Sequence, residues 1–290
     1  MTDTARRTAL VLGAGGLTGA GWEIGVLWGL AEAGVDLTGA DLVVGSSAGA
    51  VVGAQSVAGG TGLGELYERQ FGEAGGELPA RLRPGQILRY ALAVLGSRTP
   101  EEYGRKLGRL ATAADTAADT VPPEARRDVV AARLGGEAKW PEERRLLVTA
   151  VDADSGALTA FDKDAGVPLV DAVTASCAIP GVWPVVELAG RRWIDGGLHS
   201  TANAQLAAGY ERVVIIAPSA AGNKALHSPA RQGAALAAAG ARVEVITPDA
   251  GSKRAFGRDR FDLTRRGPAA RAGRAQAAAH ANAVIALWAQ

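Results

Sequence analysis

Residues 41–54 read Asp41-Leu42-Val43-Val44-Gly45-Ser46-Ser47-Ala48-Gly49-Ala50-Val51-Val52-Gly53-Ala54, and the change of pattern inside them decides the fold. A short β-branched run predicts a buried strand, a Gly/Ser turn follows, and an Ala/Val run of helical character closes the unit. Strand, tight turn, helix is the half-unit of an α/β sheet. In that setting Gly45-x-Ser47-x-Gly49 is the nucleophile-elbow pattern. Its glycines let the chain turn sharply and bring strand and helix close, which leaves the Ser47 hydroxyl exposed at the strand's C-terminal end. A plain Gly/Ser-rich turn is the alternative, and Ser46 lies off the centre of the pattern.

The same grammar precedes it. Thr8–Leu12 predicts a strand running into Gly13-Ala14-Gly15-Gly16-Leu17-Thr18-Gly19, then an amphipathic helix over Ala20–Ala33 carrying Trp22, Ile24, Val26, Leu27 and Leu30. Backbone N–H groups exposed at a helix N-terminus stabilise anionic oxygen. A dinucleotide fingerprint would need glycine where Thr18 stands and an acidic residue where the second strand ends in Gly45-Ser46, so nucleotide binding is disfavoured. Further strands are predicted at Arg145–Ala150, Arg212–Ala217 and Arg242–Thr247, and further helices at Ala48–Ala58 and toward Trp288. Between Gly59 and Trp140 the strand signal vanishes and helical pieces are punctuated by Pro79, Pro84, Pro100, Pro122 and Pro123. The expectation is an α/β fold with a mainly parallel central sheet flanked by helices and a helical insertion at about 60–140.

Composition bounds the chemistry. With 290 residues, 48% hydrophobic and 21% charged, the chain suits one large globular domain over 1–290. A net charge of +1 argues against a generally basic nucleic-acid binder. One Cys excludes an internal disulfide, and with three His it leaves the usual zinc sites short of ligands, so that metal chemistry would need carboxylates; no metal and no cofactor are expected. No apolar stretch approaches the roughly 18 residues of a membrane span. The first apolar run, Ala9–Leu12, is cut by glycines and then Glu23 before it makes a signal peptide, so a cytoplasmic location is expected. Oligomeric state is not legible.

A serine nucleophile needs a base, normally a His oriented by a carboxylate. Only His199, His227 and His280 are present. The order Ser47, Asp195, His280 would fit an α/β-hydrolase triad. Against it, one strand alone precedes the elbow strand, and His280 lies in an Ala-rich helical stretch. His227, beside Ser228-Pro229, reads as a loop residue ahead of a helix. Asp195, in Arg191-Arg-Trp-Ile-Asp195-Gly196-Gly197, stands on a tight turn with little bulk around it, suited to direct contact with a hydroxyl. An Asp-Gly hairpin turn is the commoner reading of such a dipeptide. His199 would line the pocket, assist a proton transfer, or simply pack.

Together these segments resemble the patatin-like phospholipase family. Gly13 to Gly19 with Trp22-Glu23-Ile24-Gly25-Val26-Leu27 looks like its oxyanion loop and first helix, and Gly45-Ser-Ser47-Ala-Gly49 like its nucleophile elbow. Ala175-Ser-Cys-Ala-Ile-Pro180-Gly181 is similar to its Ala-Ser-x-Ala-x-Pro segment, and Asp195-Gly196-Gly197 to its Asp-Gly-Gly/Ala motif. The resemblance implies a three-layer fold and a serine-dependent acyl hydrolase, a phospholipase A-like esterase acting on a lipid or ester through an acyl-enzyme. Ser47 would be the nucleophile and Asp195 the general base, with no histidine required, and the N–H groups of Gly15, Gly16 and Leu17 would form the oxyanion hole. Two positions depart from the commonest pattern: Ala14 stands where many members have glycine, and Thr18 where many have a basic residue. A non-catalytic lipid or acyl-group binder on the same scaffold and a Ser-His-Asp esterase are the alternatives. Cys177 reads as a small buried residue. Ile87, Leu88, Leu92, Val94 and Leu95 read as helix packing, with a lid over the acyl pocket or transient contact with a membrane surface as the other roles open to them.

Overall fold

In β1 (Thr8–Leu12), Leu10 and Leu12 face one hydrophobic cluster while Ala9 and Val11 face another. Both sides of the strand are covered, so it reads as a nearly continuous apolar run. The computed structural model describes residues 7–72, 76–78, 80–115 and 121–288. After β1 come α1 (Gly16–Glu32), β2 (Leu42–Ser46) and α2 (Ala48–Val57). Four helices follow with no strand between them among the described residues: α3 (Leu63–Glu68), α4 (Pro84–Leu95), α5 (Pro100–Asp115) and α6 (Pro123–Arg133). The chain continues through β3 (Arg145–Asp152), β4 (Leu158–Phe161), α7 (Leu169–Ser176), β5 (Val186–Leu188) and β6 (Arg191–Asp195). It closes with β7 (Arg212–Ile216), α8 (Pro229–Ala238), β8 (Arg242–Ile246), α9 (Ala250–Phe256) and α10 (Arg266–Trp288).

The strands lie in the order β5-β6-β3-β2-β1-β7-β8, with β4 also paired to β3. The run β3-β2-β1-β7-β8 is parallel throughout, and β4, β6 and β5 are added antiparallel. One face of the sheet is covered by α1, α2, α7 and α10, whose Leu27, Val52, Val173 and Ala270 belong to the same core cluster. The other face meets Ala202, Ala204 and Leu236, the last from α8. The architecture is therefore three layers around a mainly parallel sheet. From β1 the chain adds β2 and β3 on one side and returns to add β7 and β8 on the other. The loop after β1 thus sits where strand order reverses, the usual site for a ligand in an open α/β sheet.

Three expectations need correction. α1 begins at Gly16, four residues ahead of the predicted Ala20, because the glycine run that disguises a helix N-terminus is its first turn. β4 and β5 carry no predicted counterpart; at four and three residues they are too short to display a period. The packing role expected for the apolar positions of α4 fails for most of them: Ile87, Leu88, Leu92 and Leu95 are 55–70% exposed. The helix docks through Tyr90, Ala93 and Val94 instead, which puts Leu88, Leu92 and Leu95 on the opposite face.

Candidate active site

Ser47 lies between β2 and α2 with φ 54° and ψ −115°, a left-handed conformation that a non-glycine residue holds only under constraint from its surroundings. The constraint is visible. Its N–H donates to Ser176 Oγ at 2.9 Å, and its carbonyl accepts from the N–H of Ala50 at 3.0 Å and of Val51 at 3.3 Å. A Cβ on Gly49 would stand 2.2 Å from the Leu12 carbonyl oxygen, so only glycine lets α2 approach β1 this closely. The Gly49 N–H also donates to the Gly13 carbonyl at 3.0 Å, joining the serine turn to the first glycine loop.

Asp195 ends β6, and its N–H donates to the Ala178 carbonyl at 2.9 Å. The carboxylate is buried and accepts two hydrogen bonds: the Gly197 N–H donates to Oδ1 at 2.8 Å and the Ser47 hydroxyl to Oδ2 at 2.6 Å. Burial pushes the carboxyl up to about 6, partly opposed by the hydrogen bonds from Ser47 and Gly197 and by the charge of Arg126. A group that titrates there is an ionised base at neutral pH yet takes up a proton readily.

Behind this pair is a polar network that the sequence did not reveal. Asn203, itself left-handed at φ 54°, donates through Nδ2 to Ser46 Oγ at 2.9 Å and to the Gly196 carbonyl at 3.0 Å. The Thr149 hydroxyl donates to Ser46 Oγ at 2.8 Å. Ser46 is thereby a tie between β2, β3 and the Asp195-Gly196-Gly197 turn, and its hydroxyl is already engaged. Ser176 falls within the Ala175–Gly181 segment singled out from the sequence, but Asn203 and Thr149 carry no local signal.

In the glycine loop, the Gly13 N–H donates to the Ile216 carbonyl at 3.0 Å, that of Ala14 to Thr201 at 2.7 Å and that of Thr18 to Arg260 at 3.2 Å. Ala14 keeps a negative φ, so the methyl group where glycine is commoner is accommodated. Gly16 has φ +65°, which turns the chain into α1. Among the described residues, the N–H groups of Gly15, Gly16 and Leu17 donate to no partner. Gly16 and Leu17 line the same pocket as Ser47, whose walls also include Ile24, Val51, Ile179 and Phe261. Free donors at a helix N-terminus, facing a serine that is bonded to a buried carboxylate, can stabilise an oxyanion formed at that serine.

Among the described residues none of the three histidines hydrogen-bonds to Ser47 or Asp195. His199 lies 3.3 Å from Glu101 Oε1 and 3.4 Å from Asn203 Oδ1, His280 in α10 lies 2.8 Å from Glu244 Oε1, and His227 is exposed ahead of α8. None of these contacts involves Ser47. Cys177 is buried, with its Sγ 3.4 Å from the Ser47 carbonyl, and burial pushes its thiol up to about 11, which makes it a poor nucleophile. Among the described residues no group of three or more His, Cys, Asp or Glu could hold a metal ion, and no helix is long and apolar enough to cross a membrane.

The family model described as patatin-like phospholipase matches residues 10–208. No curated protein matches. Among solved structures, VipD from Legionella pneumophila aligns with 66% of this chain and 46% of its own at 17% identity and a TM-score of 0.38. The type III effector protein ExoU aligns with 96% of this chain and 53% of its own at 16% identity and a TM-score of 0.41. The chain spans about half the length of these two proteins.

Proposed function

The chain belongs to the patatin-like phospholipase family, and from that premise we propose that it is a serine acyl hydrolase working through a Ser47–Asp195 dyad. The observation that carries the reading is the 2.6 Å hydrogen bond from the Ser47 hydroxyl to Asp195 Oδ2. Ser47 Oγ attacks the ester carbonyl carbon while Asp195 takes its proton. The carbonyl oxygen, now an oxyanion, lies against the free N–H groups of Gly15, Gly16 and Leu17, where one positioned donor contributes about 3 kcal/mol to lowering the barrier. Collapse expels the alcohol, protonated by Asp195, and leaves an acyl-Ser47 ester. Water then attacks this ester, gives its proton to Asp195, and the acid departs with Ser47 restored.

The apolar walls at Leu17, Ile24, Val51 and Phe261 suit the acyl chain. A lipid substrate must reach them from an aggregate, and α4 supplies the surface for that contact. Its exposed Leu88, Leu92 and Leu95 share one face, with exposed Arg81, Arg89 and Arg98 around it, the make-up of a helix that rests in an anionic interface. Tyr90 Oη donates to the Pro180 carbonyl at 3.0 Å, and Gln86 Nε2 donates to the Gly181 carbonyl, so the helix is anchored beside the site. The deciding experiment is labelling by a serine-directed organophosphonate, located by peptide mass. Modification of Ser47 supports the reading, and a folded protein that neither labels nor cleaves any ester leaves only the binding alternative.

A further inference from the structure

The pocket at Ser47 has a direction. β1 and β2 are parallel neighbours, so α1 and α2, which leave their C-terminal ends, run side by side in the same sense. One face of each lines the pocket at successive turns: Leu17, Ala20 and Ile24 from α1, Val51 and Gln55 from α2. The channel between them therefore starts at Ser47 and leads away from it along α2. Its far end is polar. Gln55, Gln70, Glu77, Arg133 and Arg266 line it there, and the same five residues line a second cavity of about 330 Å³, so they stand as a partition between the two. Arg133 Nε donates to Glu77 Oε1 at 2.7 Å and Nη2 to Oε2, with both side chains largely buried. Gln55 Nε2 donates to the Arg133 carbonyl at 2.7 Å, and Gln70 Nε2 to the Leu66 carbonyl at 2.9 Å. Arg266 donates to the carbonyls of Gln70, Arg69 and Gly72. Such a partition yields only if a buried ion pair is broken, which is strongly unfavourable, and a methyl group pressed against it gains no apolar contact.

We propose that this partition measures the acyl chain, so that the ester cleaved at Ser47 carries a medium-chain acid whose methyl end stops at Gln55 and the Glu77–Arg133 pair. The proposal rests on the acyl-hydrolase reading and adds specificity-determining residues to it. The rise of α2 from Ser47 to Gln55 is about 12 Å. An extended hydrocarbon advances about 1.2 Å per bond, and the Gln55 side chain leans back toward Ser47, which leaves room for about eight carbon atoms. Each methylene that the channel accepts raises kcat/KM about fourfold, and one that meets the partition forfeits that gain. A longer chain would have to displace the ion pair to reach the second cavity.

The test compares p-nitrophenyl butanoate, octanoate and dodecanoate, each below the concentration at which it aggregates. Wild-type kcat/KM is expected to rise at least tenfold from butanoate to octanoate and to fall at least tenfold from octanoate to dodecanoate. Glu77→Leu with Arg133→Met replaces the whole pair by apolar groups of similar size, an exchange that proteins with buried ion pairs often tolerate. It should open the channel to the second cavity and raise the dodecanoate-to-octanoate ratio at least tenfold. A wild type at least as fast on dodecanoate as on octanoate, or a ratio that the double variant leaves in place, overturns the proposal. If the double variant does not fold, Gln55→Ala decides on the same ratio: a rise of at least threefold is expected, and no rise overturns the proposal. Binding is read separately in a Ser47→Ala background from the part of the indole emission that Trp183→Phe removes, since Trp183 lines the channel. Octanoate should bind at least tenfold more tightly than dodecanoate, and the double variant should reverse the order. Binding with this length dependence, together with no ester cleavage by the wild type, refutes the hydrolase reading alone. Cleavage that grows steadily with chain length refutes the partition alone.

Discussion

Ser47 Oγ and Asp195 Oδ2 meet at 2.6 Å across 148 residues of chain because adjacent residues of β3 hold both of their strands. Thr149 pairs with Ser46 of β2, and Ala150 pairs with Asp195 of β6. The contact is thus fixed by sheet register, and its short length fits a hydroxyl donating to an ionised carboxylate.

Ser47→Ala should abolish ester hydrolysis and organophosphonate labelling while the far-UV circular dichroism stays that of wild type. Ser47→Gly should be equally inactive but melt at a higher temperature than Ser47→Ala. Glycine adopts φ 54° without the strain, on the order of 1–3 kcal/mol, that alanine retains. Equal melting temperatures would show that the turn is relaxed.

Activity and stability should respond oppositely to pH around Asp195. The carboxylate is the base, so kcat/KM should rise about tenfold per pH step below about 6 and level off above it. Its folded-state pKa lies above the unfolded value, so its contribution to stability is fully present below pH 4 and is lost as pH rises through about 6. Asp195→Asn imitates the protonated acid. It should be inactive, yet more stable than wild type at pH 8 by roughly 2–3 kcal/mol, with the difference vanishing near pH 4. Urea denaturation at the two pH values checks this.

Replacing His199, His227 and His280 together should leave a folded enzyme within about tenfold of wild-type kcat/KM, since removal of a true general base costs roughly 100-fold or more. A collapse of activity with the fold intact would restore the Ser-His-Asp mechanism.

Leu88→Glu with Leu92→Glu should cut sedimentation with anionic vesicles at least tenfold and leave turnover of a water-soluble ester unchanged. Both side chains are exposed, so neither change empties the core. Equal losses on vesicles and on the soluble ester would mean that the face serves the fold.

What could be read from the sequence follows how locally each feature is encoded. The elbow, the glycine loop and the Asp195 turn are strand–turn–helix or strand–turn units whose pattern lies within a few consecutive residues, and that pattern was legible, although the neighbours that demand glycine there, such as Leu12 against Gly49 and Thr149 against Gly196, are distant in sequence. The groups that support them were not legible. Asn203 reaches Ser46 across 157 residues and Ser176 reaches the Ser47 N–H across 129, and no periodicity records such a contact. The outward face of α4 was misread for a related reason. An apolar stripe states that a helix has two faces, while which of them meets the protein depends on Tyr90 and Val94 finding the cluster around Val151 and Ile194.

The hydrogen bond from the Gly49 N–H to the Gly13 carbonyl makes one mechanical body of the turn that carries the attacking oxygen and the loop that would receive the oxyanion. Neither can drift while the other stays in place, and both hang from β1 and β2, which are buried and paired along their length. On this geometry the turn and the loop are expected to open together on heating. Loss of turnover should coincide with loss of the sheet, and the Gly49 amide should exchange with solvent only as fast as the whole β1–β2 pair opens.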